Sequence, residues 1–140
     1  MPLLVIRHAR AGKRREWEGD DRKRPLDERG RRQAAALAET LAPYPLDRLV
    51  ASNYARCTQT LEALASSRGL EIETAPELEE GASREETLTL LAALADRAAL
   101  STHGDVLENL FGEAGQKGST RVVELHEGEP VVLAYLPPAD

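Results

Sequence analysis

Cysteine is almost absent from this chain: Cys57 stands alone in 140 residues, which excludes an intrachain disulfide and any metal site built on cysteines. Aromatic residues are scarce as well, at 4%. The core must therefore be aliphatic, mostly Leu, Val and Ala, and Trp17, Phe111, Tyr44, Tyr54 and Tyr135 each stand out as contact residues. No apolar run approaches the roughly 18 residues needed to cross a bilayer. Met1 to Ile6 is too short for the apolar stretch of a signal peptide before Arg7 interrupts it, so cytoplasmic residence is the expectation. Positive charge is also in deficit overall. A net charge of -6 argues against nucleic acid or an anionic membrane as partner.

What is present fits one folded domain over residues 1–140, with 41% hydrophobic and 30% charged residues. The charge is unevenly spread. Between Arg7 and Arg32 eleven Lys or Arg face six acids, which suggests local recognition of an anion within an acidic protein.

Leu3 to Ile6 is a continuous apolar run closed by Arg7-His8, the pattern of a strand buried on both faces that ends in a polar loop. Gly12 to Pro25 has no period and reads as a long loop. Gly30 to Leu41 is rich in helix formers and is stopped by Pro43 and Pro45. A strand is expected at Leu46 to Ala51, a helix over Ala55 to Ser67 ending at Gly69, and a strand at Leu70 to Thr74. Ser83 and Glu86 have capping-box spacing for a helix reaching about Ala95. Ala98 to Thr102 reads as a strand and a short helix should start at Asp105; Val122 to Leu125 and Val131 to Leu136 form a hairpin. Alternating strands and helices predict an α/β three-layer sandwich with a largely parallel sheet flanked by helices. Ligands gather at the strand C-termini of such sheets.

Arg7-His8, Ser52 to Arg56, and His103 each follow a predicted strand, so three loops should meet at one sheet edge. Phosphoryl transfer needs a nucleophile, cationic donors for the equatorial oxygens and an acid for the leaving group. A neutral imidazole is nucleophilic near pH 7, and arginine presents a permanently charged fork matched to phosphate oxygens. His8 can therefore attack while Arg7 and Arg56 bind. Lys13, Arg14, Arg15 and Trp17 follow in the loop and could contact the group that carries the phosphate.

Leu4-Val5-Ile6-Arg7-His8-Ala9 resembles the signature of the histidine phosphatase superfamily, the phosphoglycerate mutase-like group. Arg24-Pro25-Leu26-Asp27-Glu28-Arg29-Gly30, Ala51 to Thr60 and Ser101-Thr102-His103-Gly104 resemble three further segments of that family, in order. Ala9 and Asn53 depart from it, standing where glycine and proline are frequent. The resemblance implies the phosphoglycerate mutase-like fold and a phosphohistidine on His8. It also implies a pocket completed by Arg7, Arg56 and His103, with no metal or other cofactor. Leu78-Glu79-Glu80-Gly81 resembles the family's Leu-x-Glu segment and points to Glu80 as general acid, with Glu77 and Glu79 as competitors. Such an acid must hold a proton near pH 7, for which partial burial or neighbouring negative charge would serve.

The short length resembles SixA-type phosphohistidine phosphatases, while Gly12 to Gly30 is especially similar to the phosphatase domain fused to Nudix hydrolases in some bacteria. The expected partner is thus a phosphohistidine protein or a phosphorylated small molecule such as a nucleotide. A mutase and a catalytically silent phosphate-binding module are the rival readings, and the oligomeric state is left open.

Overall fold

The computed structural model describes residues 1–139. In chain order its elements are β1 (Leu3–Arg7), α1 (Glu28–Thr40), β2 (Arg48–Ala51), α2 (Ala55–Arg68), β3 (Ile72–Thr74), α3 (Arg84–Leu94), β4 (Ala98–Thr102), α4 (Gly104–Phe111), β5 (Thr120–His126) and β6 (Glu129–Leu136). The six strands make one sheet in the order β3-β2-β4-β1-β5-β6. The pairs β2–β3, β2–β4 and β1–β4 are parallel, whereas β5 runs antiparallel to β1 and β6 antiparallel to β5. The sheet is therefore mixed: a parallel block of four strands extended by the hairpin that the sequence predicts.

The continuous apolar run of β1 has a simple cause, since successive side chains leave opposite faces of a sheet. Leu3 and Val5 enter a core that includes Leu91 and Leu94 of α3 and Leu107 and Leu110 of α4. Leu4 and Ile6 enter a second core with Leu37 of α1 and Leu61 and Leu64 of α2. Two cores on two faces make three layers.

Element boundaries move where side chains cap them. Helix α1 begins at Glu28, two residues before the expected Gly30, because Asp27 accepts the Gly30 N–H at 2.7 Å. The capping box of Ser83 and Glu86 forms as expected and opens α3. Gly69, with φ +65°, ends α2. The segment from Gly12 to Pro25, expected as plain loop, contains two short 3-10 turns, Arg14–Glu16 and Asp21–Lys23. Asp20 caps the second by accepting the Arg22 N–H, and its carbonyl also receives the Trp17 indole N–H at 2.9 Å. A single antiparallel bridge between Ala11 and Leu26 draws the ends of this segment together.

Among the described residues, no helix is long and apolar enough to cross a membrane.

Candidate active site

Sheet order explains the site. β4 lies between β1 and β2, and all three run the same way, with Arg7 level with Thr102 and Ala51 level with Ser101. Whatever follows these strands must emerge side by side. His8 follows β1, Ser52 follows β2 and leads into Arg56 on α2, and His103 follows β4. Two backbone hydrogen bonds hold the level: His8 N–H to the Thr102 carbonyl and Ser52 N–H to the Ser101 carbonyl, both 3.0 Å.

A pocket of about 360 Å³ opens there, lined by Arg7, His8, Arg56, Glu80 and His103 together with Arg10, Lys13, Arg14, Arg24, Gly104, Asp105 and Lys117. His8 and His103 are buried, with ring centroids 5.6 Å apart. The His8 Nδ1 lies 2.8 Å from the Ala9 carbonyl oxygen, which can only accept, so the proton sits on Nδ1 and Nε2 keeps its lone pair. On His103, Nε2 is hydrogen bonded to Ser52 Oγ at 2.9 Å, and Nδ1 is buried without a protein partner. Tyr54 packs edge-on against His103 at 4.6 Å and lies under the Arg56 guanidinium at 4.8 Å.

Arg56 is buried, its Nη1 donating to the Asp21 carbonyl at 3.0 Å and its Nη2 to Asp21 Oδ2 at 3.2 Å. Asp21 also accepts from Arg24 Nε at 2.9 Å. Burial raises the Asp21 carboxyl, but the Arg24 hydrogen bond and the charges of Arg56, Arg24 and Arg14 outweigh it and hold the group below its ordinary value. Arg7 donates to the Gly115 carbonyl at 2.6 Å, and a Cβ on Gly104 would lie 2.9 Å from its Nη2, so glycine there leaves room for the guanidinium. Gly30 has a similar duty: a side chain would collide with the Arg10 carbonyl oxygen, where α1 presses on the loop after His8.

Of the three candidate acids, Glu80 is the one lining the pocket. Its loop is tied down on both sides, by Thr102 Oγ1 to the Leu78 carbonyl at 2.6 Å and by Gly81 N–H to Asp105 at 2.8 Å. Glu79 pairs with Arg22 at 4.0 Å, and the Glu77 carbonyl accepts from Thr87. Of the two settings expected for the acid, partial burial is present, whereas neighbouring negative charge is corrected: Glu80 sits between Arg14 at 2.7 Å and Arg56 at 3.4 Å. Arg14 reaches it from the basic loop folded back over the pocket, and Arg56 from the first turn of α2.

Burial drives the histidines neutral. Desolvation, opposed by the Ala9 hydrogen bond and assisted by His103, Arg56 and Arg7, takes His8 down to about 3. Desolvation followed by Arg56 takes His103 down to about 4. An unfolded histidine titrates near 6.5, so the unfolded chain binds more protons between pH 6.5 and about 4, and stability falls as pH falls through that window. The expected slope is roughly 1.4 kcal/mol per pH unit for each histidine. Urea unfolding at pH 7, 6 and 5 on wild type and His8→Asn checks this. Wild type should weaken more steeply than the variant, and equal stability at pH 7 and 5 would mean that the rings titrate freely.

Lys13 lines the pocket, while Trp17 stands outside it, partly exposed, in an adjoining hollow with Glu16, Pro25 and Leu26. Sequence reasoning did not single out Arg10, Asp21 or Lys117. Arg10 and Asp21 are hidden among many charged neighbours, and Lys117 arrives from the loop before β5, where no motif marks it. Cys57 is buried beside His103, and desolvation pushes its thiol up to about 12, which leaves it inert as a nucleophile.

The family model described as histidine phosphatase superfamily (branch 1) matches residues 3–128. An 8-oxo-(d)GTP phosphatase from Mycolicibacterium smegmatis (strain ATCC 700084 / mc(2)155) is 36% identical over 156 residues, covering 99% of this chain and 48% of that protein. The chain thus spans about half the length of that relative. A solved structure from Agrobacterium tumefaciens, assigned as a phosphohistidine phosphatase SixA, matches with a TM-score of 0.81 at 25% identity, over 98% of this chain and 97% of the other. The protein histidine phosphatase SixA complexed with tungstate matches at 0.82 and 23% identity, with the same coverage. The phosphoglycerate mutase-like fold expected from the sequence is the fold of these neighbours.

Proposed function

This chain belongs to the histidine phosphatase superfamily, and we propose that it hydrolyses phosphate groups in two steps through a phosphohistidine on His8. One observation carries the reading. Five buried side-chain N or O atoms have no partner among the described residues, and three of them are Arg7 Nε, Arg56 Nε and His103 Nδ1. These belong to pocket residues from three different strand ends, and buried donors without acceptors are costly unless a ligand meets them. A tetrahedral oxyanion in front of His8 Nε2 is the ligand that would do so. The Ser52 hydrogen bond to Nε2 suits a neutral His103 that carries its proton on Nδ1, facing such an oxygen.

In the first step the Nε2–P bond forms and the bond from phosphorus to the leaving group breaks, with Glu80 supplying a proton to that group. In the second, water attacks phosphorus, the P–Nε2 bond breaks and Glu80 accepts the water proton. Arg7, Arg56 and His103 neutralise charge on the transferring group in both. An arriving phosphate competes with Glu80 for Arg56.

Two leaving groups fit. The likeness to SixA supports an imidazole, making the substrate a phosphohistidine protein. The identity to an 8-oxo-(d)GTP phosphatase supports a nucleotide. A panel of p-nitrophenyl phosphate, an alkyl phosphate, a phosphohistidine peptide and nucleotides, assayed with EDTA present, separates them. Rapid quench should trap acid-labile, alkali-stable phosphate on His8 with any turned-over compound. Phosphate release without it overturns the covalent step, and tight binding without release supports the silent module instead. Glu80→Gln should lower kcat about 100-fold on the alkyl phosphate, whose alkoxide must be protonated, and less than tenfold on phosphohistidine. Equal losses on both would remove Glu80 as the acid.

A further inference from the structure

The pocket carries more positive charge than one phosphate can use. Seven basic residues line it against two acidic ones, Glu80 and Asp105. Four of the seven are engaged: Arg56 and Arg24 with Asp21, Arg14 with Glu80, and Arg7 with the Gly115 carbonyl. The side chains of Arg10, Lys13 and Lys117 make no hydrogen bond or ion pair among the described residues. They come from separate stretches, the loop after β1 and the loop before β5, and converge only through the fold. Lys117 is the telling one. Desolvation lowers its ammonium, and Arg7, Arg10 and Arg24 lower it further, so like charges crowd it and outweigh the opposing pull of Asp27, with which it forms no ion pair.

We propose that Arg10, Lys13 and Lys117 form a second anion subsite beside the transferring phosphate, so that the preferred substrate is a nucleoside diphosphate and the bond cleaved is its phosphoanhydride. The inference rests on the His8 reading above and narrows it. The terminal phosphorus lies before His8 Nε2 and the inner phosphate on the three free cations. The organic part has room beyond Lys13, in the hollow lined by Trp17, Pro25 and Leu26, which shares Gly12, Lys13 and Arg24 with the pocket. In the first step the bond from the terminal phosphorus to the bridging oxygen breaks as Nε2–P forms, and the electron pair stays on that oxygen. The leaving group is the nucleoside monophosphate, a stable anion that needs no proton at neutral pH. Water then releases orthophosphate. Two lysines suit this task because each is a point charge on a flexible stem that can follow a mobile diphosphate, while Arg10 adds a fork for its oxygens.

The test compares kcat/KM for ADP, AMP and p-nitrophenyl phosphate in wild type and in the double variant Arg10→Gln, Lys117→Gln. Both positions are exposed, so the fold should persist, and circular dichroism checks that it does. Wild type should favour ADP over AMP at least tenfold. The double variant should lose at least tenfold more on ADP than on p-nitrophenyl phosphate, with a shallower dependence on salt. ADP no better than AMP, or equal losses on both compounds, overturns the subsite while His8-dependent release from p-nitrophenyl phosphate leaves the covalent reading standing. Release that survives His8→Ala overturns the covalent reading itself. Should no compound turn over, calorimetry on wild type decides. ADP binding at least tenfold tighter than AMP, weakened by the double substitution, supports the subsite, and equal binding ends it.

Discussion

His8→Ala is expected to lower kcat by at least about 10⁴-fold, equivalent to roughly 5 kcal/mol of transition-state stabilisation, and to abolish the trapped phosphoenzyme. The size follows from what is removed. His8 Nε2 is the nucleophile of the proposed mechanism, and its lone pair is held in place by the Nδ1 hydrogen bond to Ala9. Because burial keeps the ring neutral down to about 3, the nucleophile is in its reactive form throughout pH 5–8. The acid limb of kcat/KM for the free enzyme should therefore not sit near 6.5, where an ordinary histidine would put it. Steady-state kinetics and acid quench on the same variant check both statements. A His8→Ala protein within tenfold of wild type would sink the mechanism.

Arg56→Ala should be the next most damaging change, costing about 10³-fold in kcat/KM and raising KM as well as lowering kcat. Arg56 is fully buried, and its guanidinium joins Asp21, Glu80 and the face of Tyr54. Its loss would leave Asp21 and Glu80 to the more exposed Arg14 and Arg24 and open space beside His103. A fall in stability on the order of 1–3 kcal/mol should accompany the kinetic defect. Arg56→Lys should recover little activity, because an ammonium cannot reproduce the planar fork. Kinetics with thermal unfolding on both variants checks this. Full activity in Arg56→Lys would mean that charge alone suffices, and a tenfold or smaller loss in Arg56→Ala would place the guanidinium outside the phosphate's reach.

Most of the fold was legible because its elements carry local signals. The run Leu3 to Ile6, the Ser83–Glu86 box and Gly69 at a helix end each act within a few residues. Helix α1 starts ahead of the run from Gly30 to Leu41 because its cap, Asp27, lies outside that run. The path of the segment between Gly12 and Pro25 is less legible: apart from the local Asp20 cap, contacts such as Arg56 to Asp21 and Arg14 to Glu80 tie it to residues far along the chain.

The candidate site divides along the same line. Arg7, His8, Arg56 and His103 could be nominated from position, each near the end of an apolar run, and the pocket holds all four. Among three glutamates in one short stretch, by contrast, only the ties from Thr102 and Asp105 to their loop bring Glu80 to the pocket while Glu79 turns to Arg22. The sequence by itself determined the order of elements, the two-faced burial of the central strands and the chemical types available to a phosphate. Those depend on periodicity, capping and side-chain chemistry, which act over a few residues. Only the tertiary structure decided that β4 lies between β1 and β2, that Asp21 grips Arg56 and that Lys117 joins Arg10 and Lys13 around the same pocket. Strand order and long-range charge placement depend on how whole layers pack, and no window of neighbouring residues records that.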